Sequence, residues 1–308
     1  MKHLFIINPA AGKGKALKLV PEIQKIFSER GEDYFIEVTT KPRHAVEIVK
    51  NYLKHDHYRI YSVGGDGTLN EVINGIVTSG AHACASSLVV IPAGSGNDFM
   101  KSISKKAPVK EILHNAIDGL AVPVDVVKVN GRYSMNISSV GFDAEVAANA
   151  AWLKKLPFVF GGLSYWLGII VTLMKYRNHL LTISIDGKEM KLKSLLVAVA
   201  NGRFYGGGIQ PAPDASINDG FLDICLIDQK NIFEILRFFP KYVKGKHGSL
   251  NGVSFFKARK AKINCNREIA INIDGEIIQA NEVIFEVIHH GISLVMPEID
   301  SFSKVSNL

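Results

Sequence analysis

Five residues, Gly64-Gly65-Asp66-Gly67-Thr68, carry the strongest chemical signal in the chain. They stand between an apolar run, Arg59-Ile60-Tyr61-Ser62-Val63, and the helical spacing of Leu69, Val72, Ile73, Ile76 and Val77. That pattern is a strand, a tight turn and a helix start. Glycines there let backbone N–H groups approach a phosphate, and the helix N-terminus adds a favourable dipole. Asp66 could cap the helix, but glycines alone would have closed the turn. An acid beside phosphates is repulsive unless a cation lies between them. The segment therefore points to a nucleoside-triphosphate site that needs Mg²⁺.

Other segments carry weaker chemistry. Asn8-Pro9-Ala10-Ala11-Gly12-Lys13-Gly14-Lys15 follows the first apolar run. It reads as a phosphate loop with Lys15 as counter-charge, although it lacks Walker A spacing and a plain glycine turn would explain it alone. Gly94-Ser95-Gly96-Asn97-Asp98 precedes a helix, and simple capping would account for it. Asp274-Gly275-Glu276 is a hairpin turn with a twin at Asp186-Gly187-Lys188. A general base must reach the hydroxyl it deprotonates, and spacing does not establish that reach for Glu276. Asp214, Asn218, Asp219 and Asp223 offer oxygen ligands for Mg²⁺ or Ca²⁺, or merely a polar approach to an Asp219-Gly220 hairpin. The run Gly206-Gly207-Gly208 gives its loop unusual backbone freedom.

The elements that must position these groups alternate strand and helix through the first 120 or so residues. Strands are expected at His3–Ile7, Tyr34–Val38, Ile60–Val63 and Leu88–Ile91. Helical stretches are expected at Lys13–Arg30, His44–Leu53 and Leu69–Thr78. Such alternation implies a parallel sheet covered on both faces, with ligand beyond the carboxyl ends of the strands. Asn8–Gly14, Gly64–Thr68 and Gly94–Asp98 all follow strand ends, so they should converge. From Pro123 onward, short alternating runs are joined by Asn130-Gly131, Asp186-Gly187, Asp219-Gly220 and Asp274-Gly275, which are type I′ hairpin signals. The fold class is thus an α/β N-terminal domain with a parallel sheet, plus a mainly antiparallel β-sandwich C-terminal domain. We place the first at residues 1–122 with a returning segment at 292–308, and the second at 123–291.

Composition narrows the setting. The chain has 308 residues, 47% hydrophobic and 21% charged, which suits two globular domains. Cys84, Cys225 and Cys265 are too scattered for a disulfide framework or a zinc site, so a cytoplasmic setting is expected. Leu156–Met174 has no charged residue, but Pro157, Gly161, Gly162 and Gly168 argue against a spanning helix and for a buried or membrane-facing one. The formal charge of +7 arises from one segment: Ile235–Arg267 holds nine Lys or Arg and no acid. Phe233, Leu236, Phe238, Phe239 and Tyr242 interleave with it. A basic, aromatic-rich helix can lie on an anionic membrane, or it can be a solvated face over an ordinary core. No nucleic-acid motif accompanies the charge, so no nucleic-acid partner is expected. Exposed β edges are compatible with a homodimer.

Taken together, these segments make the chain resemble the diacylglycerol kinase-type lipid kinases, the family of diacylglycerol, sphingosine and ceramide kinases and their bacterial relatives. The resemblance runs in order through Asn8-Pro9-x-x-Gly12, Gly64–Glu71 and Pro92-x-Gly94-Ser95-x-Asn97-Asp98-Phe99. It continues through Pro123-Val124-Asp125, Gly141-Phe142-Asp143, Gly206-Gly207-Gly208, Asp219-Gly220-x-Leu222-Asp223 and Asp274-Gly275-Glu276. NAD kinases share the Gly-Gly-Asp-Gly-Thr signature, and phosphofructokinases a related one, so it is the ordered set that is specific.

The resemblance implies an NAD kinase- and phosphofructokinase-like fold, with the last strand near Ser293–Met296 returning to the first domain. It implies ATP held by Asn8, Pro9, Ala10, Ala11, Gly12, Lys15, Thr39, Gly65, Asp66, Gly67, Thr68, Leu69, Asn70, Glu71 and Ser95. It promotes Glu276 to general base on a lipid hydroxyl, makes Asp66 the organiser of a catalytic Mg²⁺, and assigns a structural Mg²⁺ to Asp219 with main-chain oxygens near Ser216 and Phe221. Diacylglycerol, giving phosphatidic acid, is the acceptor it implies, at the inner face of the membrane with peripheral contact to anionic lipid. Some bacterial relatives carry a lysine in the helix after the Tyr165 region, whereas here no Lys or Arg lies between Lys155 and Lys175. The alternatives are a soluble NAD kinase-type phosphotransferase and a non-catalytic lipid-binding protein on this scaffold.

Overall fold

The computed structural model describes residues 1–104, 107–153, 162–175 and 178–297. Its first strand, β1 (Lys2–Ile7), buries Leu4 to Ile7 completely, as a strand covered on both faces must. Next come α1 (Val20–Arg30), β2 (Tyr34–Val38), α2 (His44–Tyr52), β3 (Tyr58–Gly64), α3 (Asp66–Val77) and β4 (Ser87–Pro92). After them lie α4 (Asp98–Ile103) and α5 (Val109–Ile117). The four strands are parallel, in the order β2-β1-β3-β4. One helix begins later than its periodicity suggested. Gly12, Lys13 and Gly14 all hold positive φ (58°, 58° and 87°), which breaks right-handed helix. Short 3₁₀ turns therefore precede α1.

The second half opens with β5 (Ala121–Val129), β6 (Arg132–Ser134), β7 (Ile137–Gly141), α6 (Phe142–Leu153) and α7 (Gly162–Lys175). It continues through β8 (His179–Ile185), β9 (Lys188–Ala200), β10 (Leu222–Asp228), α8 (Ile232–Val243), β11 (Val253–Ala258), β12 (Lys260–Ile273) and β13 (Glu276–Val295). Strands β7 to β12 pair antiparallel. Asn130-Gly131, Asp186-Gly187 and Asp274-Gly275 hold positive φ at both residues, as type I′ turns require.

The Asp219-Gly220 expectation is corrected. Only Gly220 has positive φ there. Its N–H donates to Oδ2 of the buried Asp125, and Asp219 Oδ1 accepts from the Phe221 N–H. The result is an Asx-type turn leading into β10: Asp219's own side chain takes the Phe221 N–H that would close a hairpin, and Asp125 anchors Gly220.

Strand β13 joins the halves. Its first part forms a hairpin with β12. From Phe285 onward it runs antiparallel beside β5, with a register shift between Ile288 and Ile292, and Ser293 and Leu294 pair in parallel with Ser87 and Leu88 of β4. Apolar side chains gather around the parallel sheet, within the antiparallel strands, and beneath α6 to α8. Among the described residues, no helix is long and apolar enough to cross a membrane. Residues 156–161 of the charge-free run and residues 298–308 of the returning segment lie outside the described residues.

Candidate active site

A cleft of ≈ 970 Å³ opens at the carboxyl ends of β1, β3 and β4. Asn8, Pro9, Ala10, Ala11, Gly12, Thr39, Gly65, Asp66, Gly67, Thr68, Glu71, Ser95 and Glu276 line it. Asn8 ties two of its loops together: Nδ2 donates to Thr68 Oγ1 (3.0 Å), and Oδ1 accepts the Ala10 N–H (3.0 Å). The glycine loops touch backbone to backbone. A Cβ on Gly94 would lie 2.5 Å from the Gly65 Cα, and one on Gly12 would collide with the Ala93 carbonyl. Gly67 differs, since a Cβ there would meet only open space.

Asp66 does not cap its own helix. Gly65 stands at that position without a side-chain bond. Instead Asp66 Oδ1 accepts the Phe99 N–H at the start of α4 (3.1 Å), which locks the second glycine loop to the third. Asp98 continues the chain of contacts. Its Oδ1 accepts from Lys101 Nζ (2.6 Å) and its Oδ2 from the Gly207 N–H (2.7 Å), so the triple-glycine loop is drawn to the cleft.

The remaining expected residues sit less directly. Glu71 is on the wall, but its oxygens accept the Arg43 and Ala45 N–H groups at the start of α2. Leu69 packs into the core at 4% exposure. Asn70 donates to Asp274 Oδ2 and to the Tyr133 carbonyl. Lys15 is exposed, does not line the cleft, and folds beside Gly12. Ser216, Asp219 and Phe221 lie away from it.

Spacing did not disclose what fixes Glu276. Asp274, two residues earlier, accepts from Asn70, Ser134 Oγ, and the Met135 and Ile137 N–H groups. Burial pushes its carboxyl above the usual range, against the pull of those donors. Glu276 follows on the cleft wall, largely exposed, with Oε2 bonded to Arg132 Nη1 (2.9 Å). The twin turn at Asp186 bonds to Arg259 and Lys260 N–H groups instead, away from the cleft.

Hard oxygen groups and glycine turns at a helix N-terminus suit a phosphate chain with Mg²⁺, and the missing Cβ atoms of Gly12, Gly65 and Gly94 let the loops pack backbone to backbone around the cleft. At the second expected metal set, an ammonium already sits between the acids. Asp219 and Asp223 converge on Lys257 Nζ at 2.5 and 3.3 Å. Burial pushes Asp223 up to about 6, opposed by Lys257. An ion expected at Asp219, Ser216 and Phe221 would have to displace that ammonium, because Asp219 Oδ1 already accepts the Phe221 N–H.

A second, narrow slot lies beneath α8. Phe142, Val146, Ile169, Leu196, Ile235 and Phe238 make it apolar. Asp143 and Tyr205 line both the slot and the cleft. Sequence patterning passed over both residues. Their only signals were Gly141-Phe142-Asp143 and the glycines after Tyr205.

Comparison with known proteins accords with this arrangement. Residues 2–129 match the diacylglycerol kinase catalytic domain, and residues 136–296 match the YegS C-terminal NAD kinase beta sandwich-like domain. The chain is 30% identical to the diacylglycerol kinase of Bacillus subtilis (strain 168) over 302 residues, 97% of either chain. The chain belongs to the diacylglycerol kinase-type lipid kinase family. It is also 28% identical to the diacylglycerol kinase of Staphylococcus carnosus (strain TM300), over 88% of this kinase and 87% of that one. A diacylglycerol kinase crystal structure from Bacillus anthracis str. Sterne shares the fold, with TM-score 0.70 and 23% identity over 96% of each chain. This lipid kinase therefore combines an N-terminal α/β domain with an antiparallel β-rich C-terminal domain.

Proposed function

We propose that this kinase transfers the γ-phosphoryl group of ATP, with Mg²⁺, to the hydroxyl of a membrane lipid. Diacylglycerol, giving phosphatidic acid, is the acceptor to test first. The observation that carries the reading is the cleft in which the glycine loops and Glu276 meet, in a chain 30% identical over 97% of its length to a diacylglycerol kinase.

Bound Mg²⁺·ATP would supply the phosphoryl group and neutralise its developing charge. The chain's own residues do the rest. Loop N–H groups around Gly12, Gly65 and Gly94 cradle phosphate oxygens, Asp66 holds the loops and orients the cation, and Glu276 takes the acceptor's proton at its carboxylate. Arg132 steadies Glu276. Helix α8 supports peripheral contact with an anionic membrane at its inner face. Ile232, Phe233 and Leu236 are exposed at its start, and Arg237, Lys241, Lys244 and Lys246 follow.

The deciding experiment is radiolabelled ATP transfer in mixed micelles to diacylglycerol, sphingosine, phosphatidylglycerol and NAD. Transfer to a lipid supports the reading, and transfer to NAD alone overturns it. Asp66→Asn should abolish transfer, whereas a non-catalytic lipid-binding protein would keep its function.

A further inference from the structure

Asn272 stands on β12 between Ile271 and Ile273, which belong to the core of the antiparallel strands. Side chains alternate along a strand, so Asn272 and Asp274 share the opposite face, and both line the cleft. Asn272 is only 6% exposed. Its carboxamide has one orientation that works. Oδ1 accepts the Gly275 N–H (2.8 Å), a group that can only donate. The Nδ2 hydrogens then have no partner among the described residues. Nδ2 keeps contact with the accessible surface, which at this position is the cleft.

The other side-chain donors on this wall are engaged. Asn136 Nδ2 donates to the Phe204 carbonyl (2.7 Å), and the Tyr205 hydroxyl donates to Asp143 (2.6 Å). The remaining polar side chains of the wall, Asp143, Asp274 and Glu276, are acids. A buried N–H without an acceptor is costly, and a ligand oxygen would remove that cost. The bond to Gly275 ties Asn272 to the turn that carries Glu276, on the acceptor's side of the cleft. Phosphate oxygens have the glycine loops of the first half instead. The attacking oxygen must yield its proton to Glu276 and keep its lone pairs for phosphorus, so a donor on it would oppose the reaction. The oxygen that suits Nδ2 is a neighbouring one on the same acceptor.

We propose that Asn272 is a specificity-determining residue of the acceptor site: its Nδ2 donates to the carbonyl oxygen of an acyl ester beside the hydroxyl that is phosphorylated. This rests on the lipid-kinase reading and sharpens its substrate class to ester-bearing glycerolipids. A diacylglycerol presents such a carbonyl next to its free hydroxyl. The matching dialkylglycerol keeps the hydroxyl and both chains, but its ether oxygens are weaker acceptors and leave Nδ2 poorly paired.

The test compares kcat/KM in mixed micelles for a 1,2-diacylglycerol and the 1,2-dialkylglycerol with the same chain lengths. A site built to hydrogen-bond its substrate rejects an analogue that lacks the partner, so the unaltered kinase should favour the diacylglycerol by at least about tenfold. Asn272→Ala and Asn272→Asp should each bring that ratio to within about threefold of unity, with KM for ATP unchanged. The Asp variant keeps an oxygen for the Gly275 N–H and loses only the donor, provided it is assayed at about pH 8, where the new carboxyl is ionised. A residue that merely held the turn would slow both acceptors alike and preserve the ratio. The proposal is overturned if that ratio survives in either variant. It is also overturned if the variants raise KM for ATP and leave the ratio standing, which would assign Nδ2 to a phosphate oxygen. Lipid transfer by the unaltered kinase with a ratio near unity overturns this inference alone. No transfer to any lipid overturns the function it rests on as well.

Discussion

Glu276 and Asp274 divide a task that the hairpin sequence presents as one. Glu276 is exposed and its bond to Arg132 is a surface pair worth at most about 1 kcal/mol, so its substitution should leave the fold intact. Glu276→Gln is expected to lower kcat by about 10²- to 10⁴-fold, the range of general-base catalysis, with both KM values changed little and an unaltered melting temperature. Steady-state kinetics beside calorimetry check this. Asp274→Ala should do the opposite first. It strands four donors beneath the cleft, and unsatisfied buried groups cost about 1–3 kcal/mol each in the worst case. Stability falls, and activity falls with it because Glu276 loses its mount. The residue types were legible in the sequence; their roles were not. Asp186-Gly187-Lys188 has the same local pattern, and only the long-range partners Asn70 and Ser134 distinguish the two turns.

The turns and helices show where local rules held and where distant groups overruled them. Alternation and apolar runs located β1 to β4 to within a few residues, since each depends on its own burial. The start of α1 and the Asp219-Gly220 turn were misread, the first through consecutive positive-φ residues and the second through carboxylates, Asp219's own and that of distant Asp125, that take its amides. The convergence of the glycine loops followed from strand order. The slot did not, because dispersed apolar side chains on α6, β9 and α8 carry no readable spacing. Three predictions belong to these elements. Gly94→Ala forces a Cβ against the Gly65 backbone and should cost about 1–3 kcal/mol while raising KM for ATP. Gly67→Ala meets no protein atom, so it should keep the melting temperature and still weaken ATP binding, as nucleotide titration would reveal. On α8, Phe233 and Leu236 are 80% and 57% exposed. Changing both to Ser should leave stability within about 0.5 kcal/mol and reduce co-sedimentation with phosphatidylglycerol vesicles by roughly tenfold or more. Unchanged sedimentation, there and with Lys241, Lys244 and Lys246→Glu, would remove the membrane-docking reading.

Across the molecule, each half carries a buried histidine that ties stability to pH. His3, on β1, sits between Tyr61 and Glu32, and His247 accompanies Tyr242 and Phe238 below α8. Burial lowers both from the ordinary value near 6.5, against their hydrogen-bond partners. The unfolded chain therefore takes up protons first, so stability is lost as pH falls below about 6.5. Melting temperatures should decline between pH 7 and 5, and more gently in the His3→Gln, His247→Gln variant. A slope unchanged by both substitutions would assign the acid sensitivity elsewhere.

Strand β13 sets a schedule for making the protein. The edge of β4 at Ser87 and Leu88, and residues Ala121–Val124 of β5, lack this partner until Ile292–Val295 arrives. A ribosome delivers that segment only after the entire antiparallel half. The nucleotide half is thus translated early yet stays unsealed, with an apolar parallel edge open to neighbouring chains throughout synthesis. Nascent chains stalled near residue 129 should bind holdase chaperones, and release should coincide with the emergence of Leu294.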